Sequence, residues 1–184
     1  MTYRRIPPNA VEFSSSGLSI AVRSSASPLI HALRAPRRIK KVIVRLEVAG
    51  ILAKPAEAAK WDEDSQFRLG LVVNGDKRLT GLSRALAPDW VKRLFSLAPN
   101  GGGVDRILFL MMGRPPARIG DKRLHPNSGL IEERIVWLAV DGRGTRVLEA
   151  DINPPLPVSA LWISADGDDT GSAYALRIES IELE

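Results

Sequence analysis

The sequence predicts an all-β domain, a jelly-roll β-sandwich carrying one short helix around residues 88–98. Three observations lead there. Several runs alternate apolar and polar side chains with the two-residue period of a strand. Asn, Asp and Gly punctuate the ends of those runs, as turns require. Helical periodicity is confined to one stretch, so the long helices that would separate the strands of an α/β fold are missing.

In chain order, residues 1–10 are expected to form an extended or poorly ordered N-terminal arm, and "LSIAV" a strand ahead of a Ser-rich turn. "SPLIHAL" fits either one helical turn or part of a strand. "KKVIVRLEVAG" alternates cleanly, with Val42, Val44, Leu46 and Val48 on one face and Lys41, Ile43, Arg45 and Glu47 on the other. "AKPAEAAKWDEDSQ" reads as a loop between neighbouring strands. "FRLGLVVNGD" turns Phe67, Leu69, Leu71 and Val73 inward and Arg68, Gly70 and Val72 outward, then ends on a strong turn signal. "LAPDWVKRLFSLAPNGGG" is the helix. Pro88 and Asp89 suit its start, Trp90, Leu94 and Leu97 share a face, and the glycines stop it. "VDRILFLMMG", apolar on both faces, reads as a central strand, and "ERIVWLAVDGRG", "VSALWISAD" and "YALRIESIELE" come after it as further strands. There is no internal repeat, and 184 residues can bury a core as one domain, 1–184.

Composition narrows function by exclusion. No apolar run approaches a membrane span, and "MTYRRIPPNAVEF" has no apolar segment of the secretory type. Without cysteine there is no disulfide, thiolate catalysis or cysteine-ligated zinc, and two histidines, His31 and His125, are too few for a multi-histidine metal site. The net charge of +5 is unevenly spread: residues 1–50 hold nine Lys/Arg against two acids, residues 141–184 three against nine. A nucleic-acid reader needs a sustained basic face, so "HALRAPRRIKK" is read as a solvated loop entering a strand, and no nucleic-acid partner is expected.

Four stretches could carry chemistry. "DGDDTGS" places Asp166, Asp168 and Asp169 with Thr170 and Ser172 in one turn, a set of oxygens that suits calcium, although its spacing is not that of an EF-hand. The competing reading is a structural turn. "WDEDSQF" gathers Asp62, Glu63 and Asp64, which would serve glycoside hydrolysis only if the fold set two carboxylates across a cleft. Third, Arg45, Glu47, Arg68, Trp137 and Arg177 are polar or aromatic residues at alternating strand positions. They form a candidate ligand-binding sheet face, with Trp137 as a sugar platform, set against cross-strand ion pairing and a core role for Trp137 and Trp162. Last, Trp61 and Trp90 could stack on a ligand or plug one end of the sandwich. His125 reads as a loop histidine. Ser83 and Ser128 lie outside a nucleophile-elbow motif, and "NGGGVD" lacks the Lys-Ser/Thr of a phosphate loop.

Three segments, "RIKKVIVRLEVAG", "WDEDSQFRLGLVV" and "ALWISADGDDTGSAYALRIESIEL", resemble an uncharacterised bacterial domain family with a galactose-binding-like jelly-roll fold, akin to non-catalytic carbohydrate-binding modules. The closing strand–"DDTG"–strand pattern matches best, and the acids before Phe67 with Arg68 form a second motif. The middle, from "LSRALAPDWVKRLF" to "RLHPNSG", lies outside the resemblance, and the strand at 42–48 is aliphatic where an aromatic-rich one is expected. The resemblance implies a periplasmic or secreted, non-catalytic protein. The expected function is thus a binding module for carbohydrate or cell-envelope glycan, with calcium as the one candidate cofactor. A protein-interaction or assembly domain is the alternative, and a glycoside hydrolase using Asp62, Glu63 or Asp64 stands behind both.

Overall fold

The computed structural model describes residues 5–53, 64–87, 89–96, 103–126 and 128–184. Its strands are β1 (Ala10–Ser14), β2 (Gly17–Arg23), β3 (Ala26–Ile51), β4 (Ser65–Gly75), β5 (Gly103–Gly113), β6 (Lys122–His125), β7 (Ser128–Leu138), β8 (Gly142–Asp166) and β9 (Ala173–Leu183). Two short helices, α1 (Gly81–Leu86) and α2 (Asp89–Ser96), lie between β4 and β5. The all-β expectation is met. The strands form one sheet in the order β1-β2-β9-β3-β8-β4-β5-β7-β6, antiparallel throughout except where β7 runs parallel to β5. That order does not by itself make a jelly roll.

Two strands hold this sheet together. β3 and β8 pair along nearly their whole lengths, from Ala26 opposite Asp166 to Gly50 opposite Gly142. β9 then takes the second half of β3, and β4 takes the second half of β8. The register between β3 and β8 breaks between Ala32 and Arg37 and again between Ile39 and Lys41. Prolines explain the position: Pro36 on β3 and Pro154 and Pro155 on β8 cannot donate to the ladder, so pairing lapses where they stand. Across that crease the sheet folds over on itself. Val42, Val44, Leu46 and Val48 from one half join Phe67, Leu69, Leu71, Leu108 and Leu110 from the other in one buried cluster. The inward faces read from both alternating runs are buried, but in β4 the face read as outward is buried too, with Val72 1% exposed.

The other face of the second half has its own cover. Ile107, Phe109, Met111 and Trp162 pack there with Leu94 of α2, and Trp90 and Phe95 lie against them. β5 thus buries both faces, as its unbroken apolar run requires.

Several expectations need correction. The basic "HALRAPRRIKK", read as a loop, is strand within β3, because β8 supplies a hydrogen-bonding partner that local sequence does not show; "SPLIHAL" takes the strand form of its two readings. The expected single helix is a pair. α2 keeps the Asp89 start, while α1, six residues long, is too short to show a helical period. The predicted helix-face residue Leu97, with Pro88, lies outside the described residues, as do Trp61, Asp62 and Glu63. Ahead of β1, Asn9 is buried. Its backbone N–H donates to Ser27 Oγ at 3.1 Å, its Nδ2 to the Ala165 carbonyl at 2.8 Å, and its Oδ1 accepts from Ser25 Oγ. Among the described residues of the predicted arm, this one is firmly held.

Candidate functional site

The acidic turn between β8 and β9 is built around a residue from elsewhere. Asp64, at the entry to β4 and 4% exposed, accepts hydrogen bonds from the backbone N–H of Asp169 (3.2 Å), the N–H of Thr170 (2.8 Å) and the Thr170 hydroxyl (2.5 Å). Charge-assisted bonds of this kind are the strong ones. Thr170 Oγ1 also meets Ser172 Oγ, which accepts from the Ala53 N–H at 2.9 Å. Gly171 completes the turn at φ +67°, a left-handed conformation open to glycine at little cost. The last acid of "WDEDSQF" and the whole of "DGDDTGS" therefore form one structure.

Asp166, the last residue of β8, sits beside it. Its Oδ2 accepts from Arg68 Nη1 on β4 at 2.6 Å, while its Oδ1 is buried with no hydrogen-bond partner. The Tyr174 hydroxyl locks the backbone here, accepting from the Asp166 N–H at 2.8 Å and lying 3.0 Å from its carbonyl and 3.1 Å from that of Ser65. Burial holds this phenol well above its usual pKa, so it keeps its proton. Burial also pushes the Asp166 carboxyl up to about 7; Arg68 opposes this, and the neighbouring Asp168 and Asp64 add to it.

The three carboxylates that approach within 4.8 Å of one another are those of Asp64, Asp166 and Asp168. Of the expected calcium set of Asp166, Asp168 and Asp169, the first two stand in this group. Asp169 meets the group through its backbone N–H on Asp64, while strand pairing of β4 with β8 brings Asp64 in. Both Asp64 oxygens receive turn donors and one Asp166 oxygen receives Arg68, so the resting geometry is that of a carboxylate clamping a turn.

Asp166 and Asp168 also face a cleft of about 680 Å³. Trp90 from α2, Phe109 from β5 and Trp162 from β8 line it, with Trp162 edge-on to both other rings at centroid distances of 5.7 Å. Trp90 is half-buried, whereas Trp162 is 3% exposed and its indole N–H has no acceptor. From the far strands come His125 of β6 and Glu133 of β7, the latter 2% exposed and paired to Arg123 at 2.5 Å. His125 ends a strand instead of sitting in an open loop.

The predicted sheet-face site does not assemble. Of Arg45, Glu47, Arg68, Trp137 and Arg177, only Arg68 reaches the cleft. Glu47 binds Arg177 at 2.9 Å and Arg143 at 3.2 Å, Arg177 also meets Glu179, and Arg45 meets Glu182 at 3.6 Å. Apart from Arg177–Glu179, which lies within β9, these are cross-strand ion pairs on the outer face of the opposite half of the sheet. Glu47, Arg143 and Arg177 edge a second groove of about 620 Å³, where the register lines up Ala10, Ala21, Ala175 and Ala49. Trp137 is a core residue, tilted against Phe67 at 5.9 Å with its N–H bonded to the Glu149 carbonyl at 2.9 Å. The cause is a bulge. Met111 pairs with Ile135 but Met112 with Trp137, so Val136 is the extra residue that sends Trp137 to the inner face.

Sequence reasoning passed over Phe109, Trp162 and Glu133 as cleft residues. All three lie inside strands, where a buried side chain is the ordinary case.

No family model and no curated protein matches the chain. Among solved structures, one from the structural analysis of an exo-beta-agarase aligns with all of this chain and 24% of its own, at 9% identity and a TM-score of 0.34. The chain spans about a quarter of that protein's length. A likeness at this level bears on neither fold nor activity. Among the described residues, no helix is long and apolar enough to cross a membrane.

One pH prediction arises directly. The folded-state pKa of Asp166 lies above its ordinary 3.8, so the folded chain holds this proton more tightly than the unfolded chain does. Its stabilising contribution is full below about pH 4 and is lost as pH rises through about 7. Denaturant titrations should show stability falling across that window. Asp166→Asn, which removes the titration, should shrink the difference between about pH 5 and about pH 8 by about 1–3 kcal/mol. An equal fall in the variant would contradict the assignment.

Proposed function

We propose that this chain is a non-catalytic binding module for carbohydrate or cell-envelope glycan, and that its ligand sits in the cleft of Trp90, Trp162, Arg68 and Asp168. One observation carries the reading: a half-buried tryptophan, held by a second ring, shares a cleft with carboxylates and a guanidinium. Sugars present a C–H face that stacks on an indole and hydroxyls that bond to charged groups. Such sites are concave and largely apolar, with a few placed polar groups.

The test is oligosaccharide binding by calorimetry. Trp90→Ala should weaken binding by about tenfold or more, with Trp90→Phe recovering much of it. Unchanged affinity in Trp90→Ala would remove the platform.

The three clustered carboxylates support a narrower version in which calcium assists the ligand. A thermal melt in EDTA and then in calcium reads it, since a folded-state ligand raises the melting temperature. The hydrolase alternative has one described carboxylate, Asp64, and the turn occupies both of its oxygens. The assembly alternative would draw on the exposed apolar side chains of Phe13, Ile51, Leu86, Ile119, Leu124, Leu138 and Val147, which no single strand gathers.

A further inference from the structure

The basic run of β3 lacks the counter-charge that the rest of the strand has. Arg34, Arg37, Arg38 and Lys40 are all exposed and stand around Pro36 at the crease. Further along the same strand, Lys41 pairs with Glu149 at 2.6 Å and Arg45 with Glu182 at 3.6 Å, and Asp151 and Glu184 also act on Lys41. Among the described residues, none of the four earlier cations makes an ion pair. Arg37 and Arg38 instead donate through Nη2 to the carbonyls of Leu183 and Pro155, both at 3.3 Å. A guanidinium carries five N–H donors, so each keeps an oriented fork for an oxyanion. Residues 26–39 of β3 pair with β8 alone, because β9 takes up β3 from Val42, so the cations stand on an open edge. At a rise of about 3.3 Å per residue, the strand spreads them over at most about 20 Å, a line and not a point. Charges also guard strand edges against pairing, a task for which lysine is the usual choice. Three arginines, two of them tethered to carbonyls, suit recognition of planar oxyanions better than guarding.

We propose that the crease of β3 docks an acidic polysaccharide, its carboxylates against Arg34, Arg37, Arg38 and Lys40. None of the four lines the cleft of Trp90 and Trp162, so this is a second surface and does not rest on the function read from that cleft. Residues 26–40 hold no Phe, Tyr or Trp on which a base could stack, which makes single-stranded nucleic acid the poorer fit.

Three probes, titrated into the full chain at low salt, separate the outcomes: oligogalacturonate, its neutral methyl ester, and oligothymidylate of equal charge. The acidic sugar should bind about tenfold more tightly than either, with affinity falling as salt rises. Arg37→Gln with Arg38→Gln should weaken it by about tenfold and leave the melting temperature unchanged, since both residues are exposed. Arg23→Gln with Arg118→Gln removes the same charge elsewhere, because Arg23 pairs with Ala173 at the end of β9 opposite Leu183 and Arg118 follows β5. That second pair should cost less than about threefold. An equal loss, which the +5 field of the chain would produce unaided, overturns the inference. Trp90→Ala should leave this binding intact, which keeps the test apart from that of the cleft. No binding of the acidic sugar, equal or tighter binding of oligothymidylate, or dependence on Trp90 likewise overturns it.

Discussion

Asp64→Ala is expected to be among the most destabilising substitutions in the chain, lowering unfolding free energy by about 3–5 kcal/mol. The buried carboxylate accepts from two backbone N–H groups and one hydroxyl, and all three donors lose it at once. The turn they belong to joins β8 to β9, and β9 holds β2 and through it β1 on the sheet. A domain of this size has about 5–15 kcal/mol in total, so the variant should unfold at markedly lower urea with a similar slope. Asp64→Asn keeps one acceptor oxygen and should lose roughly half as much. A midpoint that hardly moves in Asp64→Ala would show that the turn stands without its clamp. Any loss of ligand binding in these variants is to be judged against this loss of fold.

Trp137→Ala should cost a similar amount, about 3–5 kcal/mol, as a large-to-small change in a packed core. The residue is 6% exposed, packs on Phe67 and belongs to the cluster that joins the two halves of the sheet. Trp137→Phe retains ring contact but leaves the Glu149 carbonyl without its indole donor, for a smaller loss of about 1–2 kcal/mol. Chemical denaturation of both variants gives the comparison. A sugar platform at this position would behave in the opposite way, losing affinity with stability intact. That result would put the Trp137 side chain outside the core.

The contrast between Trp137 and Trp90 shows how far a sequence can be read. Alternation over 41–48 predicted the buried face correctly, because a strand with one face in the core must repeat every second residue; over 67–73 it found the inward set but missed that Val72 on the other face is buried as well. Trp137 obeys the same alternation until Val136 bulges, and one inserted residue reverses the face of every later side chain in the strand. Nothing local marks that bulge. Trp90, on a helix of eight residues, was legible as a ring near a surface, but not as a neighbour of Trp162, which lies seventy-two positions along the chain. "DGDDTGS" was legible as a turn from its own glycines and acids. Its clamp was not, since Asp64 stands more than a hundred residues away.

By itself, then, the sequence determined the all-β class, the inward faces of its alternating strands, the place of the acidic turn and the exclusion of cysteine chemistry, all of which depend on local backbone preference and residue type. Tertiary structure alone decided that β3 and β8 run through a proline crease as shared strands, that Asp64 joins Asp166 and Asp168 in the carboxylate group, and that Arg68 parts company with Arg45, Glu47 and Arg177. Those outcomes depend on pairing register between segments far apart in the chain. Register is set by the summed burial of both partners, a quantity that no single segment contains.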